Sequence, residues 1–331
     1  ISTNFEIRKA RMEDIPAIMK FIGENWKKDH ILARDEAFFR WMYVDEKGCN
    51  VVLAVDEENT IYGMLAVIKY NSTDQPDIVG TMWKVLHTGN PRLGVELAEK
   101  KQKIYNARCD VGPGLNKRAV KINRYLGCYV DAMGHLYVIG ECPEYHIAKV
   151  RQKQKRISGI SKKKLVELQT REELLQVYDD SFQRKRVPYK DFGYVEHRFL
   201  QHPVYEYRFL GIQNEDGSIK SFMVLREEQY DGAKICKIVD FYGPYEEIID
   251  TASEMYRFVD ENHYEFMDIY CYGVPEEYLF TAGFSWCKEE EAIIPNHFAP
   301  FEQKNTDIYF ATSLWGQLDV FRGDADQDRP S

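Results

Sequence analysis

The loop Thr88-Gly89-Asn90-Pro91-Arg92-Leu93-Gly94 leaves an apolar run and enters a helical one. A helix start leaves backbone N–H groups unpaired and carries partial positive charge. Gly94 there lets an anion approach the backbone closely, and Arg92 adds a fixed, forked cation. The chemistry this arrangement supports is the holding of a phosphate or pyrophosphate. A second helix start lies in VGPGLNKRAVKINRYLGCYV, residues 111–130, with Asn116 at its head. Ala119, Val120 and Ile122 give that helix a small apolar face, and Gly127 suits a left-handed cap at its end.

The elements that must position these loops follow from periodicity. Residues 13–23 place apolar side chains at Ile15, Ile18, Met19 and Ile22, a helical spacing, with Asp14 as N-cap and Pro16 in the first turn. Residues 35–43 read as a second helix. Strands follow at 50–56, 61–70 and 78–87, the first two joined by the turn EENT. The phosphate loop then leads into a helix, VELAEKKQK. A strand at 104–111, the basic helix and a strand at 129–139 complete the series.

The second half repeats this order. Strands are expected at 206–213, 219–227, 233–241 and 266–272, with a helix at 245–262 and a short helix ending in TAGF. Ile61 and Ile219, which restart equivalent hairpins, are 158 residues apart, and the helix-ending Gly127 and Gly283 are 156 apart. This agreement predicts a duplicated domain: residues 1–148, a linker 149–164, and residues 165–331. Eight of the 16 linker residues are Lys or Arg, which predicts a solvated connection, with a phosphate-attracting patch as the alternative.

Bulk composition narrows the function. The net charge of −9 over 331 residues argues against a nucleic-acid or membrane-surface binder. The seven cysteines are scattered with no CxxC pair, which predicts reduced thiols in a cytoplasmic protein without a disulfide frame or zinc site. The polar start predicts no signal peptide, and no apolar run is long enough to span a membrane. Asp324, Asp326 and Asp328 alternate like the opening of a calcium loop, but too few residues follow to complete one, so no metal is expected. No GxSxG, HExxH or P-loop is present, which removes the common hydrolase and kinase readings.

At these residues the sequence resembles the GCN5-related N-acetyltransferase (GNAT) superfamily. Arg92-Leu93-Gly94 is an imperfect match to the family's acyl-CoA loop. Asn116, Ala119 and Gly127 occupy the Asn, Ala and Gly places of its later motif, roughly Nxx(A)xxxYxxxGF, while Cys128 replaces the Phe. The Tyr that often protonates the departing thiolate is replaced by Asn123, which can only donate a hydrogen bond. The resemblance implies an α/β fold with mixed sheets, two tandem GNAT-like domains, and acyl-CoA lying where the fourth strand splays from the fifth. In the second half the corresponding loop, FYGPYEEII, has no Arg and two acids at the helix start, which repel phosphate. One working CoA site in the first half is therefore implied. Tandem chains of this superfamily with tails such as GDADQDRPS resemble nucleotide-sugar N-acyltransferases acting on dTDP-linked amino-dideoxy sugars, as in making anthrose or acylated 3-amino-3,6-dideoxygalactose. The implied role is in surface polysaccharide or glycan biosynthesis. The co-substrate is acetyl-CoA or 3-hydroxybutyryl-CoA, with no tightly bound cofactor.

Acyl transfer to an amine needs a neutral amine, a stabilised oxyanion and a departing thiolate. His87 is the candidate base, since an unperturbed histidine titrates near neutrality; the alternative is a loop histidine without a role. A backbone N–H near the splay of Val85 to His87 is the candidate oxyanion donor, and Leu86 there is a candidate CoA contact. Asp240, at the equivalent place in the second half, is the candidate partner of the sugar amine, against a plain strand-end carboxylate. Arg92, Leu93, Gly94, Val95 and Glu96 are candidate CoA contacts, Asn116 a pantetheine contact, and Lys121 and Arg124 contacts to the outer phosphates, against a solvated basic face. Tyr242, Tyr270 and Tyr272 are candidates to stack on the base or sugar, against ordinary packing. Two other readings stand beside this one: a peptidoglycan-bridge-type transferase using aminoacyl-tRNA, which the acidic charge disfavours, and a non-catalytic acyl-CoA-binding protein, which Asn123 favours.

Overall fold

The computed structural model describes residues 4–314, 316–325 and 327–331. The chain divides into two compact units: one comprises Ile1–Asp131, Phe310–Gly316 and Ala325–Ser331, the other Ala132–Tyr309 and Gln317–Asp324.

The first unit is built on a seven-stranded sheet. Its order is Glu6–Lys9, Val51–Val55, Ile61–Lys69, Asp77–Val85, Cys109–Pro113, Tyr309–Thr312 and Tyr129–Ala132. The run Val51–Val55 is apolar throughout because both faces are covered. Val51, Leu53 and Val55 join Ile15, Ile18, Phe21 and Ile22 of helix Ile15–Asn25 and Phe38, Phe39 and Tyr43 of helix Glu36–Tyr43 in one core. Val52 and Ala54 point the other way, onto Leu93, Leu97 and Tyr105 of helix Leu93–Tyr105. Asp35 caps the second of these helices by accepting the Phe38 N–H at 2.9 Å. Asp14 stands before the first but bonds Arg8 at 2.7 Å instead of capping it.

The second unit repeats the plan. Its sheet runs Lys164–Glu167, Arg208–Gln213, Ile219–Tyr230, Ala233–Tyr242, Tyr264–Tyr272, Gly134–Ile139 and Ser285–Trp286, and Val320–Phe321 also pairs with Tyr264–Tyr272. Helix Ala252–Glu261 packs Met255, Tyr256 and Val259 against Leu210, Met223 and Ile238 of the sheet. The duplication is thus visible strand by strand, and Gly127 and Gly283 both adopt left-handed backbone, with φ of 78° and 89°. In each sheet the sixth strand comes from the opposite half of the sequence.

Several boundaries differ from the sequence expectation. The expected strand 129–139 breaks at Met133, and its two pieces join different sheets. The first unit accordingly ends at Asp131, not 148, and regains residues near the end of the chain. The expected strand 104–111 is Cys109–Pro113, because Ile104 and Tyr105 finish the preceding helix and Asn106 closes it in left-handed backbone. The helix expected at 245–262 splits into a short 3-10 turn and Ala252–Glu261. Residues 149–164 are largely exposed, as expected of a solvated connection, but they are also anchored to the second unit. Lys149–Val150 pairs with Ala292–Ile293, the Gln154 amide donates to the Tyr137 carbonyl at 2.9 Å, and Arg156 bonds Asp260 at 2.6 and 2.8 Å. The basic stretch is tied into the second unit by its own polar side chains. Among the described residues no helix is long and apolar enough to cross a membrane, and all seven cysteines are unpaired.

Candidate functional site

In the first unit Asp77–Val85 and Cys109–Pro113 run parallel, but their pairing covers only Asp77, Ile78 and Val79 against Cys109, Asp110 and Val111. Beyond Val79 the strands part. The gap opens into a cavity of about 480 Å³, walled by Gly80–Trp83, by Ala98, Lys101 and Gln102 of one helix, and by Asn116, Ala119 and Asn123 of another. Trp26 stands on its border.

The outer strand of the gap is bulged. Ala66 faces Thr81 and Met64 faces Lys84, so Leu65 alone opposes Met82 and Trp83. Met82 takes φ of +53°, a left-handed conformation that a non-glycine residue adopts at a cost. Bulges of this kind re-aim backbone groups beside functional sites. Nothing in the sequence announced it, since its signal is a register count between two strands.

The loop expected to hold a phosphate lies at the start of helix Leu93–Tyr105. Asn90 Oδ1 accepts the Arg92 N–H at 2.9 Å and fixes the turn. The exposed Arg92 side chain has no partner among the described residues. Gly94 lies near the cleft strand, since a Cβ there would sit 3.6 Å from Val85 and 3.8 Å from the Trp83 ring. Leu93 and Val95 turn their side chains inward, so only their backbone is available to a ligand. Glu96 lies within 3.4 Å of the Asn90 amide.

Asn116 caps helix Lys117–Tyr125, accepting the Ala119 N–H at 2.9 Å, and lines the cavity. Asn123 lines it as well; its amide donates to the Ala119 carbonyl at 2.9 Å, and its Oδ1 has no partner among the described residues. Lys121 and Arg124 are exposed on the same helix, without partners among the described residues. His87 is exposed just past the cleft strand, likewise unpartnered. Leu86 does not supply an oxyanion donor, because its N–H is engaged by the Tyr62 carbonyl at 2.8 Å.

The corresponding gap in the second unit is filled. Ala233–Tyr242 and Tyr264–Tyr272 pair in parallel as far as Ile238 and Ile269. Past that point the chain's own segment 318–324 enters: Phe321 pairs with Cys271, Val320 with Tyr272, and the Gly323 N–H donates to the Val239 carbonyl at 2.7 Å. Ion pairs hold the segment. Arg186 meets Asp319 at 3.0 Å, Lys190 meets Asp324 at 2.7 Å, and Arg322 grips Asp268 with both nitrogens, at 2.9 and 2.5 Å. His135 Nε2 completes the Asp268 site at 2.7 Å. Burial alone would raise the Asp268 carboxyl, but Arg322 and His135 outweigh it and bring it down to about 2. Burial holds His135 below its ordinary value in spite of Asp268.

The residues expected to hold the sugar lie in this filled region. Asp240 is buried, with both oxygens on Lys190 Nζ at 3.0 and 2.9 Å, and it also accepts from the Phe241 N–H and the Tyr242 hydroxyl. Burial pushes it up, and Lys190 only partly opposes that. Tyr242 is buried with its hydroxyl on Asp240. Tyr270 is buried, stacked on His135 at 3.8 Å, with its hydroxyl on the Thr306 carbonyl. Tyr272 pairs with Val320. Asp240, Tyr242 and Tyr270 are buried in the second unit, while Tyr272 stays partly exposed. Asp324 belongs to the same network, and Asp326 lies outside the described residues. The structure offers Trp26 and Trp83 instead, both bordering the open cavity of the first unit.

No family model matches this chain, and no curated protein matches it. Solved structures do. A GCN5-related N-acetyltransferase from Anabaena variabilis superposes with a TM-score of 0.50 at 10% identity, over 93% of this chain and 72% of that one. A probable N-acyltransferase from Enterococcus faecalis gives 0.52 at 8% identity, over 94% and 72%. The GCN5-related glucosamine N-acetyltransferase region of a fungal multi-domain β-N-acetylglucosaminidase gives 0.53 at 10% identity; the match takes in 94% of this chain but only 38% of that one. The likeness is one of fold: a mixed α/β chain of two GNAT-like domains.

Proposed function

We propose that the first unit is an acyl-CoA-dependent N-acyltransferase, and that its acceptor is the amine of a nucleotide-linked amino-dideoxy sugar. The parting of the strands beyond Val79 and Val111 carries this reading. It leaves a slot along Gly80–Trp83, and the helix start at Gly94 lies beside Trp83 and Val85. The diphosphate of CoA suits the N–H groups at Leu93–Val95 and the Arg92 guanidinium. The pantetheine arm then runs along Gly80–Trp83, where an extended amide chain can bond a strand edge. Asn116 and Asn123 face it from the other wall.

The reaction requires the amine nitrogen to attack the thioester carbonyl. The carbonyl oxygen takes up charge, the C–S bond breaks, and the thiolate accepts a proton. The bulge at Met82–Trp83 replaces Leu86 as the proposed source of the oxyanion N–H. His87 is the proposed acceptor of the amine proton, and Asn123 donates a hydrogen bond to the departing sulfur. Positioning in the slot supplies much of the rate. Trp26 and Trp83 offer flat apolar faces suited to a sugar ring, and the fungal region named above acts on an amino sugar. The second unit serves as scaffold, because segment 318–324 fills its cleft.

Thiol release from acetyl-CoA with a panel of dTDP-linked amino-dideoxy sugars tests this. Release that depends on one sugar supports the transferase. CoA binding without release from any amine supports the second reading, a non-catalytic acyl-CoA-binding protein, which Asn123 in place of an acid favours.

A further inference from the structure

Helix Lys117–Tyr125 buries none of its side chains, and its two faces differ. Asn116, Ala119, Asn123 and Leu126, spaced at i, i+3, i+7 and i+10, line the first unit's cavity. On the far side Lys117, Lys121 and Arg124 fall at i, i+4 and i+7, with Arg118 and Tyr125 beside them. All five are exposed, and Tyr125 is 73% accessible. Among the described residues no carboxylate pairs with any of the four cations.

Local electrostatics disfavours this arrangement. Lys117 and Arg118 stand in the first turn, where a helix carries partial positive charge, and no acid stands there with them. Lys117 and Lys121 repel each other at i, i+4. An anionic partner on the outer face would offset both costs. From Lys117 to Arg124 the cations spread over roughly 10 Å of helix, too long for a single phosphate group. Tyr125 adds the kind of exposed aromatic that protein interfaces favour. The apolar side chains that line the cavity face inward, so the outer face has no wedge for a lipid bilayer. The partner that fits is an acidic protein surface. The same helix walls the cavity, so such a protein would dock one helix width from the acyl-transfer slot.

We propose that the outer face of helix Lys117–Tyr125 docks a small acidic carrier protein, which delivers the acyl group to the cavity on a phosphopantetheine arm. Acyl-CoA then enters the same cavity as the weaker donor. The inference rests on the acyl-transfer reading above. The amine nitrogen attacks the carrier's thioester carbonyl, the N–C bond forms and the C–S bond breaks. The proton lost by the amine balances the one taken up by the carrier's thiolate.

Titration calorimetry on the full chain, with acetyl-CoA and with an acyl carrier protein bearing an acetylated arm, tests this. The docked surface predicts that the acetylated carrier binds about tenfold more tightly than acetyl-CoA, with an advantage that shrinks as salt rises. In a Lys117→Glu, Arg118→Glu double variant the carrier should lose about tenfold or more, since like charges now meet, while acetyl-CoA affinity changes little. Equal losses for both ligands would assign the helix to the phosphates of CoA and overturn the docking. A carrier that binds no more tightly than acetyl-CoA in the unaltered protein overturns it too, and leaves the acyl-CoA site standing. Failure of both ligands to bind overturns the acyl-transfer reading, and this inference with it. The comparison in the unaltered protein decides the matter even where the double variant does not fold.

Discussion

The backbone N–H of Gly323 donates to the Val239 carbonyl at 2.7 Å, just beyond the point where the second unit's parallel strands part. The equivalent place in the first unit, around Met82, borders open space. One gap is therefore stopped by the protein's own backbone and the other is available. Calorimetry should return one CoA per chain. A Gly323→Val change places a Cβ 2.6 Å from the Val239 oxygen, and this overpacking should cost about 1–3 kcal/mol in a denaturant melt. Two bound CoA molecules would sink the idea of a stopped second gap.

Arg322 and Asp268 give a pH signature. Asp268 sits at about 2 in the folded protein, against roughly 3.9 in an unfolded chain. Its pairing therefore stabilises fully above pH ~4, and that contribution fades as pH falls toward 2. Arg322→Leu leaves the carboxylate buried with His135 alone and should cost about 3–5 kcal/mol near neutrality. The gap between variant and parent should narrow steadily below pH ~4. A deficit that stays constant down to pH 2 would mean that Arg322 acts through packing alone.

Arg92 has no side-chain partner among the described residues, so its replacement reports on ligand. Arg92→Ala should weaken CoA about tenfold with little change in melting temperature. The variant should also respond less to added salt, because a screened charge pair has been removed. Unchanged affinity would place the diphosphate elsewhere.

His87 and Asn123 separate chemistry from binding. If His87 takes the amine proton, His87→Ala should slow thiol release about 100-fold while acyl-CoA binding persists. Asn123→Ala should lower turnover more than affinity. A His87 variant with full turnover would show that the acceptor enters as the free amine and needs no protein base.

Sequence patterning was sufficient where local chemistry decides structure. The capped helix at Asn116, the turn from Asn90 into the helix at Leu93 and the left-handed Gly127 all stand where short-range rules place them. It failed where distant segments decide. Residues 129–139 read as one strand because every residue has strand character, and only pairing with two different sheets shows the break at Met133. Asp240 read as a free strand-end carboxylate because Lys190 and Asp324 are 50 and 84 residues away. Tyr242 and Tyr270 read as possible platforms for the same reason, since what covers them is remote in the chain. The bulge at Met82 leaves no compositional trace at all.

The exchange of sixth strands has a temporal consequence. On the ribosome, residues 6–132 supply six strands of the first sheet, but the strand that completes it is Tyr309–Thr312. Nearly 180 residues intervene, roughly 10–35 s at typical synthesis rates of ~5–20 residues per second. Throughout that interval Cys109–Pro113 offers an unpaired edge beside the nascent cleft. The open pocket, encoded first, is among the last features to be finished, and a ribosome that stalls before residue 309 releases a chain with its cleft wall missing.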